Sequence, residues 1–473
     1  MSYLEAVKYL DSFINYEKKT AFAYKESLKL EKIRDFLEII GNPQDSFKSI
    51  HVAGTKGKGS VSAFAAYILK EAGYRTGLYT SPHLSDARER IRMLNPQKNG
   101  RPLQSGYDFE GMICPDDFVA LVEKLKPQIK DYCEISRYGP LSFFEVYTAM
   151  AFAYFKEQKA DFAVLETGLG GRLDATNVVD PFVCAITSIS YDHTNKLGNT
   201  LAEIAGEKAG IIKNKKLIVI SAPQEEEAAM VIRERCKEEG AILFEIGKEI
   251  MFERTGSSLA SQVFDISGSL GGYRDLEVRL LGRHQIINAC VAVSLIAALN
   301  RGLNRKIESE DIKNGLYNTL WPARFEIISE RPLIILDGAH NGASAKALKD
   351  TVSEAFPDKK ITMILGVSRD KDIDAICREL VPISSQIFLT CADNPRALKP
   401  SEILARVRAY KPKALVKKTQ SVGESILIAS QSADEESVII ITGSLFVVGE
   451  ARNFVSKNKK AIRLTQEGKP IKV

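Results

Sequence analysis

The stretch HVAGTKGKGS, His51 to Ser60, follows the strand-like SFKSI and runs into SVSAFAAYILKEAG, a helical pattern of small and apolar residues that ends at Gly73. A strand, a glycine-rich turn and a helix in succession raise the question of a phosphate-binding loop. The spelling is not the common one, in which two glycines are separated by four residues and Lys-Ser or Lys-Thr follows. Here Gly54 and Gly57 stand closer together, Lys58 follows Gly57, and Gly59 separates that lysine from Ser60. Glycines at such a junction let backbone N–H groups converge on phosphate oxygens, and the helix N-terminus adds partial positive charge. Lys58 would then neutralise terminal phosphates, with Ser60 at the helix start. The competing reading is a basic glycine-rich turn without a ligand. The preceding strand, the following helix and the small residues Ser60 to Ala63 weigh against it.

The rest of the chain gives that loop a globular setting. The 473 residues are 45% hydrophobic and 26% charged, and at roughly 100–200 residues per domain this length predicts two or three domains. Lys and Arg number 65 against 60 Asp and Glu, a net +5 too small to argue for nucleic acid or a membrane as partner. The seven cysteines are dispersed with no C-x-x-C pair, as in a reducing compartment rather than a disulfide framework or a zinc site. MSYLEAVKYLDSF reads as an amphipathic helix rather than a signal peptide, and no apolar run reaches the ~18 residues of a membrane span. A cytoplasmic location is the expectation.

Strand and helix patterns alternate through TGLYTS, ADFAVLETG, DPFVCAITSIS and KLIVISA, which predicts a mostly parallel sheet with helices on both faces. Residues 92–112, rich in Pro, Gly, Asn and Gln, read as an exposed insertion, and 253–279 as a small antiparallel excursion. After Trp321-Pro322 a fresh series of about five strands begins with RPLIILDGAHN and ends with SVIIITGSL. The expected domains are therefore 1–320 and 321–473, the second a smaller Rossmann-like α/β unit. The lysine-rich tail after Ser456 is expected to fray.

Further chemistry is expected where strands end, because ligands of open parallel sheets gather beyond their carboxyl ends. Glu166 closes the apolar run FAVL and opens a segment with three glycines, Gly168, Gly170 and Gly171. A carboxylate there suits Mg²⁺, a capping or salt-bridging role being the alternative. His193 lies just past another strand, Lys208 sits in GEKAGII, and Asp337 and His340 fall at the end of the first strand of the second series. Alone, His193 reads as a structural imidazole and Lys208 as a surface lysine. His51 and His83 read as structural.

Taken together, LKLEKIRDFLEIIGNPQ, HVAGTKGKGSV, YTSPHL, ERIR, FFEVYTAMAF, ETGLGGRLDATN, DHTNKLG, IAGEKAGIIK, GRHQIINA, PARFE, LDGAHN and ITGSL, in this order, resemble the folylpolyglutamate synthase and dihydrofolate synthase family, a branch of the Mur-ligase-like ATP-dependent amide ligases. The resemblance implies that the altered loop binds ATP through Gly54, Thr55, Lys56, Gly57, Lys58, Gly59 and Ser60, with Asn288, Arg324 and Asp337 as further nucleotide contacts. It implies Ser81, Glu166 and His193 as magnesium ligands, and carbamylation of Lys208 to hold a second Mg²⁺. Ser142, Phe143, Phe144, Glu145, Leu173, Asp174 and Ala175 would line the pterin pocket, with Leu28 to Leu30 contributing. Lys58, Lys208 and His340 would act in catalysis.

The implied reaction converts a pteroate or folate carboxylate to an acyl phosphate, which L-glutamate captures as an amide; the implied state is a monomer. A peptidoglycan-precursor ligase and a non-ligase ATP-dependent switch are the alternatives. The departures are Lys56 where many members carry Asn, Thr167 for Val, Gly342 for Pro and a longer stretch from Asn95 to Met112. The last bears on which pterin acid is used.

Overall fold

The computed structural model describes residues 1–17, 24–96, 109–458 and 462. Most of the expected insertion and of the expected frayed tail lies outside these residues. The chain forms two compact units: one of residues 1–257, 262–279 and 285–320, the other of 258–261, 280–284 and the chain from Trp321 onward.

The first unit is built on seven strands: β1 (Lys48–Ala53), β2 (Thr76–Tyr79), β3 (Ile91–Leu94), β4 (Phe162–Glu166), β5 (Val183–Ile186), β6 (Ile218–Ser221) and β7 (Ile242–Glu245). Their order is β3-β2-β4-β1-β5-β6-β7, parallel throughout except for the β2–β3 pair. The apolar runs of β1, β4 and β5 are buried almost without interruption, as strands covered on both faces must be. From β1 the chain crosses over β4 to reach β2, and from β4 it crosses over β1 to reach β5. These crossings leave a crevice at the carboxyl ends of β1, β4 and β5, the usual ligand position in such a sheet.

Residues 92–112 depart from the expected exposed insertion at both ends. Arg92, Met93 and Leu94 are buried in β3, which pairs antiparallel at the sheet edge. The return segment is tied to the same strand, Met93 N donating to Gly111 O and Ile113 N to Ile91 O. Its polar composition concealed a strand whose arginine guanidinium donates to Glu110 O and Tyr67 Oη.

The expected antiparallel excursion forms a three-stranded sheet of β8 (Ile250–Ser257), β9 (Gln262–Gly268) and β10 (Tyr273–Val278). In the second unit β11 (Glu326–Glu330), β12 (Leu333–Leu336), β13 (Lys360–Leu365), β14 (Gln386–Leu389), β15 (Leu415–Lys418) and β16 (Ser437–Thr442) make a six-stranded sheet ordered β11-β12-β16-β13-β14-β15. Five strands are parallel neighbours, and β11 adds an antiparallel edge. That edge is only partly buried, so EIISE carries no apolar run by which to find it. Among the described residues no helix is long and apolar enough to cross a membrane.

The helix Lys58–Glu71 that leaves the phosphate loop is buried from Ser60 to Lys70, which explains its lack of a polar face. Helix Ser309–Asn318 packs on it through Gly315, where an added Cβ would stand 2.4 Å from Ile68 Cα. Backbone on both sides leaves no flexible group to yield. Gly315→Ala is expected to cost about 1–3 kcal/mol, the range for overpacking. A urea unfolding midpoint equal to that of the parent protein would contradict this packing.

Candidate active site

β1 delivers the chain into the loop at Gly54, whose φ is +148°, and a Cβ there would lie 1.8 Å from Thr187 Oγ1. Gly57, at φ +88°, forms the N-cap of the helix without any side-chain cap, and a Cβ there would lie 2.2 Å from Asn288 Oδ1. Both positions therefore require glycine for conformation and for space. Asn288 is held by its amide, Nδ2 donating to Gln285 Oε1 at 3.0 Å.

The loop's amides divide into two sets. Thr55 N and Lys56 N both donate to Ser188 O, at 3.0 and 3.1 Å, and the Thr55 hydroxyl exchanges hydrogen bonds with the backbone of Ser190. The N–H groups of Lys58, Gly59 and Ser60 belong to the uncapped first turn, which has no intrahelical acceptors for them. An anion would meet these helix-start donors.

Two lysines converge on one carbonyl. Lys58 Nζ donates to Gly54 O at 3.2 Å and Lys208 Nζ to the same oxygen at 2.8 Å. Lys208 lies on helix Leu201–Ala209 and is 4% exposed. Burial first, and then the positive charge of Lys58, hold its amine well below the ordinary lysine pKa. Lys56 points elsewhere, its Nζ 2.8 Å from Asp192 Oδ2.

Glu166 ends β4, buried, and accepts from Ser81 N at 3.2 Å. His193 follows β5 in a left-handed conformation, φ +51°, with its N–H donating to Asp192 Oδ1 and its side chain partly exposed. The structure thus brings Ser81 to Glu166, and ties His193 through Asp192 to Lys56. Among the described residues no three His, Cys, Asp or Glu side chains are grouped to hold a metal ion; the expected set holds two of these types plus a serine. The hydroxyls of Thr167, Thr187 and Ser190 are buried without a hydrogen-bond partner at these strand ends. Orphaned hard oxygens beside a carboxylate fit a magnesium ion with its water shell.

The residues expected for the pterin pocket fall into two groups. Ser142 and Glu145 cap helix Phe143–Glu157 reciprocally, and Glu145 also faces Lys32 at 3.7 Å. The Phe143 ring lies tilted against Tyr147 with centroids 4.6 Å apart, while Phe144 packs over Gly168, where a Cβ would meet its ring at 2.6 Å. Asp174 and Ala175 are buried; Phe144 and Leu173 keep partly accessible surface. Leu28, Leu169 and Leu173 each pack against the buried cluster that contains Tyr24 and Ile186, and Leu30 against the cluster containing Phe143.

In the second unit Arg324 sits between Ala323 and Phe325, both left-handed at φ +61° and +48°. Such strain in non-glycine residues marks a side chain whose direction matters. Asp337 accepts from Phe325 N and Ala339 N, and its burial raises the carboxyl pKa while Arg324 pulls it down. His340 Nδ1 lies 2.7 Å from Gly338 O, so Nδ1 carries a proton and donates it to that carbonyl.

Sequence reasoning missed Asp192, Ser188 and Ser190, which receive the phosphate loop. A polar run, SISYD, directly after the apolar β5 was the available signal.

Strand-end glycine loop, paired lysines and a second α/β sheet define a Mur-ligase-type protein. Residues 143–296 match the Mur ligase middle domain and 323–445 the Mur ligase glutamate ligase domain. The chain belongs to the folylpolyglutamate synthase/dihydrofolate synthase family. It is 34% identical to dihydrofolate synthase/folylpolyglutamate synthase of Bacillus subtilis, over 89% of this chain and 94% of the relative. The Mycobacterium tuberculosis counterpart is 32% identical over 91% and 90%. Among solved structures, M. tuberculosis folylpolyglutamate synthase complexed with ADP superposes with a TM-score of 0.84 at 30% identity, covering 95% and 97% of the two chains. An FPGS complex with AMPPCP and folate gives 0.77 at 28% identity, covering 96% and 100%.

Gly54→Ala should displace the carbonyl shared by the lysines and weaken nucleotide binding by at least about tenfold, or ~1.4 kcal/mol. Titration calorimetry with a non-hydrolysable ATP analogue reads this; unchanged affinity would contradict the role given to the loop.

Proposed function

We propose that this chain is an ATP-dependent ligase that activates the carboxylate of a pteroate or folate as an acyl phosphate and joins it to L-glutamate. The observation that carries the reading is the meeting of Lys58 and Lys208 at Gly54 O, where an uncapped helix start follows β1. A carboxylate is a poor acylating agent. Its oxygen attacks the γ-phosphorus, ADP leaves, and the glutamate amine then displaces phosphate while losing its proton. Phosphoryl transfer of this kind needs positioning and charge neutralisation above all.

Residues 54–60, with Asn288, hold the triphosphate in this reading, and Lys58 leaves Gly54 O to follow the transferred phosphoryl group. Ser81, Glu166 and His193 would hold magnesium, which when bound spreads the negative charge of the phosphates. Phe144 and Leu173 offer apolar surface to the pterin ring, with Ser142, Phe143, Glu145, Asp174 and Ala175 shaping its walls. In this reading Arg324 and Asp337 would be further nucleotide contacts, and His340 a further catalytic residue. The enzyme works as a monomer in the cytoplasm on small-molecule substrates.

Lys208 is carbamylated in this reading. Burial lowers its pKa and so favours the neutral amine, the form that attacks CO₂, forming an N–C bond and releasing a proton to give an anion that would hold a second magnesium. Incubation with ¹³C-bicarbonate should yield a carbamate resonance that is absent from Lys208→Met; its persistence in that variant would remove the assignment.

The reaction itself is tested by supplying Mg-ATP and labelled glutamate with dihydropteroate or tetrahydrofolate in turn. Label should enter the pterin product with one ADP per amide bond, and Lys58→Ala should lower turnover by about a hundredfold or more. ATP hydrolysis independent of both pterin and glutamate would favour a nucleotide switch instead.

A further inference from the structure

His51 lies in the middle of β1, fully buried, and the chemistry above does not use it. Its Nε2 is 2.8 Å from Thr176 Oγ1, and that hydroxyl is 2.5 Å from Asp174 Oδ1. Asp174 receives three more donors: Thr176 N on the same oxygen at 3.0 Å, and Gly168 N and Leu169 N on Oδ2, both at 2.9 Å. A carboxylate taking four hydrogen bonds is acceptor only, so the Thr176 hydroxyl donates to it. That hydroxyl must then accept from His51, which fixes the imidazole as the Nε2–H tautomer. The other nitrogen, Nδ1, is buried and has no partner, as a bare lone pair can be and an N–H⁺ could not. Burial, followed by the charge of Lys213, pushes the His51 pKa down to about 3, so the ring stays neutral at any working pH.

The chain of bonds runs from the nucleotide strand to the loop that follows Glu166. Gly168 and Leu169 come immediately after Glu166 and Thr167, and Gly168 lies under Phe144. The far end of the same loop is sewn to the lysine helix. Arg172 N donates to Glu207 O, and Asn177 Nδ2 donates to both Arg172 O and Gly210 O. Lys213 closes it by donating to Asn177 O and Val179 O.

We propose that His51, acting through Thr176 and Asp174, is a positioning residue for the ligation reaction, setting the loop that connects Glu166, Phe144 and the Lys208 helix. Asp174 serves the pterin acid through the shape of this loop, since its oxygens are consumed within it. The inference rests on the ligase reading for its kinetic consequences and on geometry alone for the direction of the hydrogen bonds.

The test uses the full-length enzyme and two pairs of variants. Thr176→Val and His51→Leu each remove one link while keeping bulk, and each should lower kcat by about 10–100-fold, the usual cost of losing a group that orients a ligand-bearing residue. The KM for the pterin acid should rise, while the KM for ATP stays within about threefold. Thr176→Ser and His51→Gln retain a hydroxyl and an Nε2 donor, and should recover most of the turnover.

Independently, ¹⁵N spectra should place the His51 proton on Nε2, and the Gly168 and Leu169 amides should lose hydrogen-exchange protection in Thr176→Val. An Nδ1–H tautomer, or folded Thr176→Val with parental kcat and pterin KM, overturns the proposal. So does equal damage from the removing and retaining variants, which would mark a purely structural site. If His51→Leu does not fold, the Thr176 pair and His51→Gln decide. Should the parent enzyme ligate no pterin acid, the ligase reading fails, and the tautomer and exchange measurements still judge the relay.

Discussion

At Gly54 there is no space for a side chain, because β5 continues into Thr187 directly alongside. That close approach lets two strand ends stand together, and it turns the Gly54 carbonyl toward Lys58 and Lys208. Burial first, and then repulsion from the Lys58 charge beside the same oxygen, lower the Lys208 pKa. The same glycine thereby determines where Lys58 and Lys208 meet and where the uncapped helix start begins.

A second constraint complements it. The glycine-rich loop after Glu166 has little side-chain packing of its own, and backbone this permissive is entropically costly to order. Order comes instead from one buried carboxylate, Asp174, from His51 on β1, and from the segment after Lys208, where Gly210 O accepts and Lys213 donates. Loops from β1, β4 and the lysine helix are thus held by a shared set of hydrogen bonds. A change in one of them is transmitted as a displacement of the others, since a partly satisfied buried network is costly.

Strands covered on both faces were legible in the sequence: β1, β4, β5 and β6 need continuous apolar runs, and those runs stand out. Three of the edge strands were not, though β15 was, in ALVKK. β3 carries a buried arginine, β7 is only partly covered, and β11 alternates without an apolar face, so none repeats a pattern a single sequence reveals. At the site, spelling and strand-end position pointed to Lys58 and Glu166, because glycine spacing and apolar flanks are local. The ion pair between Lys56 and Asp192 spans 136 positions and the bond between His51 and Thr176 spans 125, so neither could be read locally. His193 owed its expected role to resemblance alone, for nothing in its neighbours distinguishes a ligand from a structural imidazole.

The central claim is that the nucleotide at this crevice serves to phosphorylate a carboxylate. Supplying a pterin acid whose reacting carboxylate carries ¹⁸O, with Mg-ATP and glutamate, and analysing the released inorganic phosphate by mass spectrometry, tests it directly. The account predicts that one carboxylate oxygen ends in each phosphate released. Phosphate free of the label, alongside normal amide formation, would contradict it.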